Sequence, residues 1–407
     1  KIAEVWNRRC SACASPRGPP AIVPAVKPSP LDTLHLFLSL LNHNLNPNIM
    51  AATTKYSPRL TDAEREALSH YDHTLDYTFS EEELTFLETH GYLLLRGIIP
   101  AETIDEFVQE ALVAIKHTTG VTPADPKTWD LIPFHGCFNI WHTKTYNLLR
   151  QHPLLYSVFA QLLKTHNLTV SVDRINLKAP CTTEAKSTSQ DYANRHPSLH
   201  SDCNYWHTDL DRPIYQGGLC LNDCPLGGGG FFALPGFQDP NVVREYMADV
   251  NRGKFGSASS VVPKKGKTFV TFCDQQRADT ETVEVPMKKG DFVIWNNHLP
   301  HAGGKNSLMV PPNRAPNSLE NFRMHAFIMF VPLDGPCATE EVASFYTTYQ
   351  QETRHAISTG ERPWHFATRN KTPSGGDEKK AKKSAFAQLT PLGEHILGIT
   401  PYEVREE

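Results

Sequence analysis

The residues with the clearest chemical potential are a histidine and an aspartate two positions apart, His207 and Asp209. On a strand, residues i and i+2 project from the same face, so this imidazole and this carboxylate could bind one cation together. A third ligand must come from a distant strand, and His301 follows a predicted strand at Asp291–Trp295. Two imidazoles and one carboxylate on one face of an octahedron leave three open positions, an arrangement suited to non-haem Fe(II) oxygenases.

Rival ligands lie close to these positions. His200 and Asp202 form a second pair with the same spacing, and His298 competes as the distal ligand. On one unbroken strand, the odd separation between the two pairs would turn them to opposite faces, so only one pair could face the interior. Spacing alone leaves both pairs open, with His207 and Asp209 only slightly favoured.

Composition and charge narrow the class of protein. The chain has 407 residues, of which 40% are hydrophobic and 21% charged, which is typical of a globular protein. With 40 basic and 44 acidic residues the surface is nearly neutral, so we expect no nucleic-acid partner. No stretch approaches the roughly 18 consecutive apolar residues of a membrane helix, so we expect no membrane span. The nine cysteines are scattered and odd in number, which argues against a disulfide framework and fits a cytoplasmic protein.

Three regions are expected along the chain. Residues 1–59 include a proline-rich stretch and are interpreted as a disordered or artefactual N-terminal extension. Organelle targeting by residues 1–49 is the alternative. A packed domain is expected over residues 60–370. A charged linker with a C-terminal docking segment is expected over residues 371–407.

The pattern of elements predicts helices first and strands later. Ser80 and Glu83 form a capping-box signature at a helix start, and a second helix is expected after Pro100 with an apolar face that includes Ile104 and Phe107. Short runs rich in β-branched and aromatic residues then recur between glycine, proline and asparagine. These runs are Val170–Leu177, Gly218–Leu221, Phe231–Leu234, Thr268–Phe272, Asp291–Trp295 and Met324–Val331. This order predicts an α+β domain with one β core, either a barrel or a sandwich.

Several stretches together resemble the phytanoyl-CoA dioxygenase family of Fe(II)- and 2-oxoglutarate-dependent oxygenases. In chain order they are FLETHGYLLLRGIIP, WHTDLDRP, QGGLCLNDCP, GGGGFFALPGF, KKGDFVIWNNHLPHAGGKN and FRMHAFIMF. The resemblance covers roughly residues 80–335. It implies a double-stranded β-helix (jelly-roll) core with flanking N-terminal helices. It also implies Fe(II) as cofactor and 2-oxoglutarate and O2 as cosubstrates.

The same resemblance assigns site residues. It selects His207, Asp209 and His301 as the Fe(II) ligands and catalytic residues. In the family an arginine downstream of the distal histidine binds the far carboxylate of 2-oxoglutarate, and Arg323 fits that role. A guanidinium suits it because it is always charged and can bind a carboxylate through two hydrogen bonds.

Two further basic residues are candidates near the cosubstrate. The gap before the anchoring arginine is longer than in relatives, and Ser307–Asn321 is interpreted as an inserted loop. Arg314 lies inside that loop and is the rival anchor. Lys178, on a strand that precedes the metal motif, is expected to help hold the cosubstrate or the substrate.

The reaction implied is hydroxylation of a C–H bond in a small organic molecule, with release of succinate and CO2. Related halogenating enzymes carry a small residue in place of the carboxylate ligand, so Asp209 favours hydroxylation. The alternatives are a zinc-dependent hydrolase that uses the same His/Asp/His site and a non-catalytic jelly-roll binding protein. The sequence indicates neither the substrate nor the oligomeric state, because specificity depends on the pocket rather than on the fold.

Overall fold

The computed structural model describes residues 77–133, 135–181, 199–256, 270–315, 318–359 and 389–399. The expected extension at residues 1–59 and most of the expected tail region at residues 371–407 lie outside these ranges. Within them, no helix combines the length and the apolar character needed to cross a membrane.

Helices lie at both ends of the described chain and within its centre. They are α1 (Glu81–His90), α2 (Ala101–Thr119), α3 (Lys144–Leu149), α4 (Pro153–Leu163), α5 (Pro240–Asn251), α6 (Gln275–Glu281), α7 (Glu340–Thr359) and α8 (Pro391–Ile396). Two short 3₁₀ helices span Pro126–Leu131 and Tyr205–His207.

The strands are short, as the sequence predicts. They are β1 (Tyr92–Leu95), β2 (Cys137–Phe138), β3 (Leu168–Val170), β4 (Ile175–Lys178), β5 (His200–Ser201), β6 (Tyr215–Cys220), β7 (Phe231–Ala233), β8 (Val270–Thr271), β9 (Val283–Val285), β10 (Phe292–Asn296), β11 (His301–Gly303), β12 (Arg323–Phe327) and β13 (Phe330–Pro332).

Two antiparallel sheets form the β core. One has six strands in the order β1-β10-β6-β12-β4-β2, and the other has five in the order β8-β5-β11-β7-β9. A third, two-stranded sheet pairs β13 with β3. The α+β class and the jelly-roll core expected from the sequence are confirmed, although the two sheets do not close into a barrel.

Alternating side chains of β10 divide the apolar interior into two layers. Phe292 and Ile294 join the core between the six-stranded sheet and the helices. Val293 and Trp295 point to the opposite face and join the core between the two sheets, where Phe231 of β7 also lies. The six-stranded sheet is therefore buried on both faces, and its inner face lines the interior of the jelly roll.

The start of α1 confirms the predicted capping box. The Ser80 hydroxyl accepts a hydrogen bond from the Glu83 amide at 3.1 Å, and the Ser80 amide donates to the Glu83 carboxylate at 2.9 Å. The helix ends at Gly91, whose φ of 77° is left-handed. A Cβ on Gly91 would lie 2.9 Å from Leu299 Cδ1, so glycine allows β1 to pack against the segment that leads into β11.

Two predicted strands each divide into two, because the chain changes sheets within them. The predicted run Val170–Leu177 becomes the end of β3 and most of β4, and the predicted run Met324–Val331 becomes β12 and β13. Hydrogen bonds connect the two points at which these runs break. The Ser171 amide donates to the Met329 carbonyl at 2.8 Å, and the Met329 amide donates to the Ser171 hydroxyl at 3.2 Å.

Candidate metal centre and cosubstrate pocket

Two histidines and one aspartate converge at the five-stranded sheet. One ligand atom from each of His200, Asp202 and His301 lies within 4.8 Å of the others. Each carboxylate oxygen of Asp202 lies near a different imidazole. Oδ1 is 3.7 Å from His200 Nε2, and Oδ2 is 3.6 Å from His301 Nε2. This donor set of two imidazoles and one carboxylate is the one that suits Fe(II) with open coordination positions, so the residues fit the metal that the sequence implies.

Antiparallel pairing places the two histidines. His200 of β5 and His301 of β11 are direct cross-strand partners, and Asp202 follows the end of β5. The side chain of His301 is only 7% exposed, whereas those of His200 and Asp202 are 36% and 39% exposed. The group is thus closed on the side of His301 and open on the other side, where a substrate could approach.

The imidazole of His301 is held in one orientation. Its Nδ1 lies 2.9 Å from the Leu299 carbonyl oxygen, which can only accept, so Nδ1 carries the proton and Nε2 keeps its lone pair. The rings of Trp295 and Phe231 pack against the imidazole with centroids at 5.0 and 6.1 Å. These contacts leave Nε2 directed at Asp202.

The carboxylate of Asp202 is held in its ionised form. Desolvation in the pocket raises the pKa of this carboxyl, but the proximity of the His301 and His200 imidazoles lowers it more, so the pKa lies well below the usual range. Gln216 also donates a hydrogen bond from Nε2 to Asp202 Oδ2 at 2.9 Å. An anionic carboxylate beside two imidazoles favours a divalent cation.

Asp209, predicted as a ligand, has other partners in the structure. It is exposed, its carboxylate lies 3.2 Å from Arg212 Nε, and it accepts a hydrogen bond from the Asp211 amide at 3.1 Å. The backbone of His207 ends a 3₁₀ helix, and its side chain lies outside the described part of the chain.

The structure therefore favours the rival pair. The chain leaves β5 after Ser201 and then enters a 3₁₀ helix, so the strand alternation assumed for His207 and Asp209 does not apply. His200 and Asp202, the pair ranked second by spacing, are the residues brought to the distal histidine.

His298, the rival distal ligand, is completely buried and is not part of this group. Burial lowers its pKa to about 4. Its backbone carbonyl accepts hydrogen bonds from the hydroxyls of Ser201 at 3.0 Å and Tyr205 at 2.7 Å. The residue thus helps to join the β5 segment to the turn before β11.

Arg323, the predicted anchor, crosses from the six-stranded sheet to the strand of His301. It is 3% exposed, and its guanidinium donates to the Asn176 side-chain oxygen. A Cβ built on Gly303 would lie 2.9 Å from Arg323 Nη2 and 3.0 Å from Nη1. Gly303 is two residues after His301 on β11, so the guanidinium lies on the same face of that strand as the imidazole.

Lys178 lies directly opposite Arg323 in the register of β4 and β12. Its ammonium donates to the carbonyls of Gly303 at 3.0 Å and Gly304 at 2.6 Å. Burial and the charge of Arg323 lower the pKa of Lys178 to about 7.

Within the described part of the chain, this basic pair has no acidic counterpart. In the ranges that the structure describes, no ion pair links Arg323 or Lys178 to a carboxylate, and Arg323 Nε is buried without a hydrogen-bond partner. Like charges directly opposite each other destabilise a sheet, and a buried charge is costly without a counter-charge. The pocket therefore fits an anionic group, such as the free carboxylate of a dicarboxylic acid.

The sequence profile of the family described as Phytanoyl-CoA dioxygenase (PhyH) matches residues 87–307, more than half of the chain. The chain belongs to the phytanoyl-CoA dioxygenase family. The matched segment contains the three clustered residues His200, Asp202 and His301, while Arg323 lies beyond it. Membership confirms the enzyme class expected from the sequence, an Fe(II)- and 2-oxoglutarate-dependent dioxygenase.

One relative carries the name of this family, and solved structures have a similar fold. A Dictyostelium discoideum protein that carries the phytanoyl-CoA dioxygenase name is 24% identical over 267 residues, which cover 56% of this chain and 71% of that protein. The GlcNAc Inducible Gene 2 protein of Candida albicans has a similar fold, with a TM-score of 0.57, 16% identity and coverage of 82% of this chain and 79% of its own. A hypothetical protein of Escherichia coli gives a TM-score of 0.50 at 13% identity, with coverage of 90% and 91%. At sequence identities this low, the similarity to these two structures shows only that the fold is shared.

In this family member Arg314, the rival anchor, is engaged in its own loop. Its guanidinium donates to the backbone carbonyls of Ser318 and Pro123. It also lies 5.4 Å from the ring centroid of Trp129 and 5.3 Å from that of Phe322. Arg314 therefore connects the inserted loop to Pro123, Trp129 and Phe322 outside it.

Two residues of the pocket were missed by the sequence analysis. Gln216 opens the QGGLC stretch and contacts Asp202, as described above. His325 is 1% exposed, and its Nδ1 accepts from Arg323 Nη2 at 3.2 Å, so its proton lies on Nε2, which has no hydrogen-bond partner in the described chain. The sequence could have indicated His325, because it lies two residues after Arg323 on the same strand and therefore on the same face of the sheet.

Proposed function

We propose that this family member hydroxylates a C–H bond of a small organic molecule and releases succinate and CO2. The observation that carries the proposal is the basic pair Arg323 and Lys178, which lies beside the strand of His301 and has no acidic partner among the described residues. A site for one carboxylate next to a metal donor group is what 2-oxoglutarate requires. A zinc-dependent hydrolase would give this anion site no role.

For the metal, we propose His200, Asp202 and His301 as ligands, in place of His207 and Asp209. If Fe(II) and 2-oxoglutarate are bound there, they would supply the oxidation: one oxygen atom of O2 would enter 2-oxoglutarate, which loses CO2 and becomes succinate, and the other would enter the substrate C–H bond, which becomes an alcohol. The protein contributes fixed donors: the Leu299 carbonyl holds the Nδ1 proton of His301 and leaves Nε2 free to bind the metal.

For the cosubstrate, Arg323 binds the far carboxylate, and Lys178 adds a second donor. Gly303 leaves the space that the guanidinium occupies, because any side chain there would meet it. Binding of the carboxylate supplies the negative charge that the described residues around this pair do not provide.

The test is succinate formation by purified protein loaded anaerobically with Fe(II), compared among four single alanine variants. We expect His200→Ala and Asp202→Ala to lose more than about 100-fold in 2-oxoglutarate turnover, since each removes a ligand. His207→Ala and Asp209→Ala are the matched controls and should retain activity. The reverse ranking would restore His207 and Asp209 as the ligands, and equal activity in all variants and without iron would overturn the oxygenase itself.

A further inference from the structure

Gln216 links the metal centre to the apolar core between the two sheets. Its Nε2 donates to Asp202 Oδ2 at 2.9 Å, and its Oε1 accepts from the indole nitrogen of Trp295 at 3.0 Å. Gln216 and Trp295 are direct cross-strand partners on β6 and β10, so the sheet register brings them together. The result is a chain of two hydrogen bonds that runs from Trp295 through Gln216 to Asp202.

Trp295 determines which end of the Gln216 amide donates and which end accepts. An indole N–H can only donate, so the amide oxygen of Gln216 must face Trp295 and the amide nitrogen must face Asp202. Trp295 itself is 4% exposed and is packed against Phe231 with ring centroids 4.9 Å apart. A buried, packed donor thus fixes which end of a partly exposed amide reaches the carboxylate.

Asp202 is the ligand candidate with the least support from the fold. It follows the end of β5 rather than lying within it, and its side chain is 39% exposed. His301, by contrast, is 7% exposed and is held by a carbonyl and two aromatic rings. Among the residues that the structure describes, Gln216 is the one side chain other than the two histidines that is seen to hold the Asp202 carboxylate.

We propose that Gln216, oriented by Trp295, is a positioning residue that holds Asp202 in the orientation needed to bind the metal. The inference rests on the proposed ligand set. Loss of the amide donor should weaken metal binding by about 10- to 100-fold, the range for groups that orient a ligand. It should leave the metal-free fold intact, because Gln216 is only partly buried.

The experiment titrates metal-free protein with Co(II) and follows the visible absorption of the bound ion. Gln216→Met keeps the length of the side chain but has no donor. Trp295→Phe removes the indole N–H together with part of the ring system and retains a six-membered aromatic ring. We expect weaker Co(II) binding and an altered absorption band in Gln216→Met, with a smaller loss in Trp295→Phe. The double variant should bind no more weakly than Gln216→Met alone, because the indole acts through the amide.

Matched controls separate positioning from folding. Gln276→Met makes the same change at an exposed position of α6 and should bind Co(II) like the wild type. Thermal unfolding of the metal-free variants reports any loss of fold. Co(II) affinity within twofold of wild type and an unchanged spectrum in Gln216→Met would overturn the positioning role. A full additional loss from Trp295→Phe in the Gln216→Met background would instead show that Trp295 acts by packing on His301. It would overturn the proposal that Trp295 acts through Gln216.

Asp202→Ala distinguishes this inference from the function on which it rests. If Asp202→Ala loses Co(II) binding while Gln216→Met does not, the positioning role is wrong and the ligand set stands. If Asp202→Ala binds Co(II) as the wild type does, the ligand set itself is wrong.

Discussion

His200 and His301 are direct cross-strand partners, and the centroids of their imidazole rings lie 4.8 Å apart. The two histidines are distant in the sequence, and a single antiparallel pairing of two short strands brings them together. Asp202 then needs only to follow the end of one of these strands to complete the group. The candidate metal centre is thus a product of strand pairing more than of a local motif.

Metal should stabilise the protein only when the proposed ligands are intact. A ligand that binds only the folded state adds about 2.7 kcal/mol at 100 times its dissociation constant. We expect added Fe(II), kept anaerobic, to raise the thermal unfolding midpoint of the wild type and of Asp209→Ala but not of Asp202→Ala. A metal-dependent shift retained in Asp202→Ala would contradict the assignment.

Gly303→Ala should weaken 2-oxoglutarate binding without loss of the metal ligands. The added Cβ would meet the Arg323 guanidinium at 2.9 to 3.0 Å and displace it. We expect the KM for 2-oxoglutarate to rise about tenfold, which corresponds to about 1.4 kcal/mol, while kcat changes less. Gly218→Ala is the control, because its Cβ would make ordinary contacts at 3.5 Å or more. Equal effects of the two substitutions would argue against a role for the space at Gly303.

Binding of 2-oxoglutarate should be accompanied by proton uptake near neutral pH. Lys178 has a pKa lowered to about 7, so much of it is neutral above that pH, and a bound carboxylate would raise its pKa. Calorimetry at pH 7.5 in buffers of different ionisation enthalpy should show net proton uptake in the wild type and less in Lys178→Met. Identical heats in all buffers would exclude Lys178 as a carboxylate partner.

The same lysine should affect stability with a defined sign. An unfolded lysine stays protonated to about pH 10.4, whereas folded Lys178 releases its proton above about pH 7. Between these values the unfolded state holds more protons, so the contribution of Lys178 to the free energy of unfolding becomes more favourable as pH rises. Lys178→Met should therefore be most stabilising, relative to the wild type, below pH 7. Chemical denaturation of both proteins at pH 6.5 and 9.5 in the absence of 2-oxoglutarate measures this difference, and a difference that grows with pH would contradict it.

Arg314 and Arg323 should differ in what their loss affects. Arg314 binds two backbone carbonyls and stacks near Trp129 and Phe322, so Arg314→Met should lower the free energy of unfolding by about 1 to 3 kcal/mol. Arg323→Met should instead abolish measurable 2-oxoglutarate binding. Denaturation and equilibrium binding of both variants separate the two roles, and loss of binding in Arg314→Met alone would make it the anchor.

Much of the architecture follows from local sequence patterns. The capping box at Ser80, the apolar face of α2 and the strand at Phe292–Asn296 all follow from side-chain type and period. The breaks inside Val170–Leu177 and Met324–Val331 do not, because each apolar run continues through the point where the chain changes sheets.

The choice between the two His-x-Asp pairs lay beyond the sequence for a related reason. Both pairs have the same spacing, and the alternation rule distinguishes them only if the strand continues. The strand in fact ends at Ser201. Gln216 could not be found either, because its contact with Asp202 depends on how the two sheets face each other.

The two halves of the pocket belong to different sheets. His200 and His301 lie on strands of the five-stranded sheet, whereas Arg323 and Lys178 lie on strands of the six-stranded sheet. Iron with 2-oxoglutarate bound between the two sheets would be held by residues of both, and would therefore resist their separation. The unloaded enzyme should accordingly open more readily, with faster amide exchange at the facing strands and greater susceptibility to proteases, so that cellular iron supply would influence its lifetime as well as its turnover.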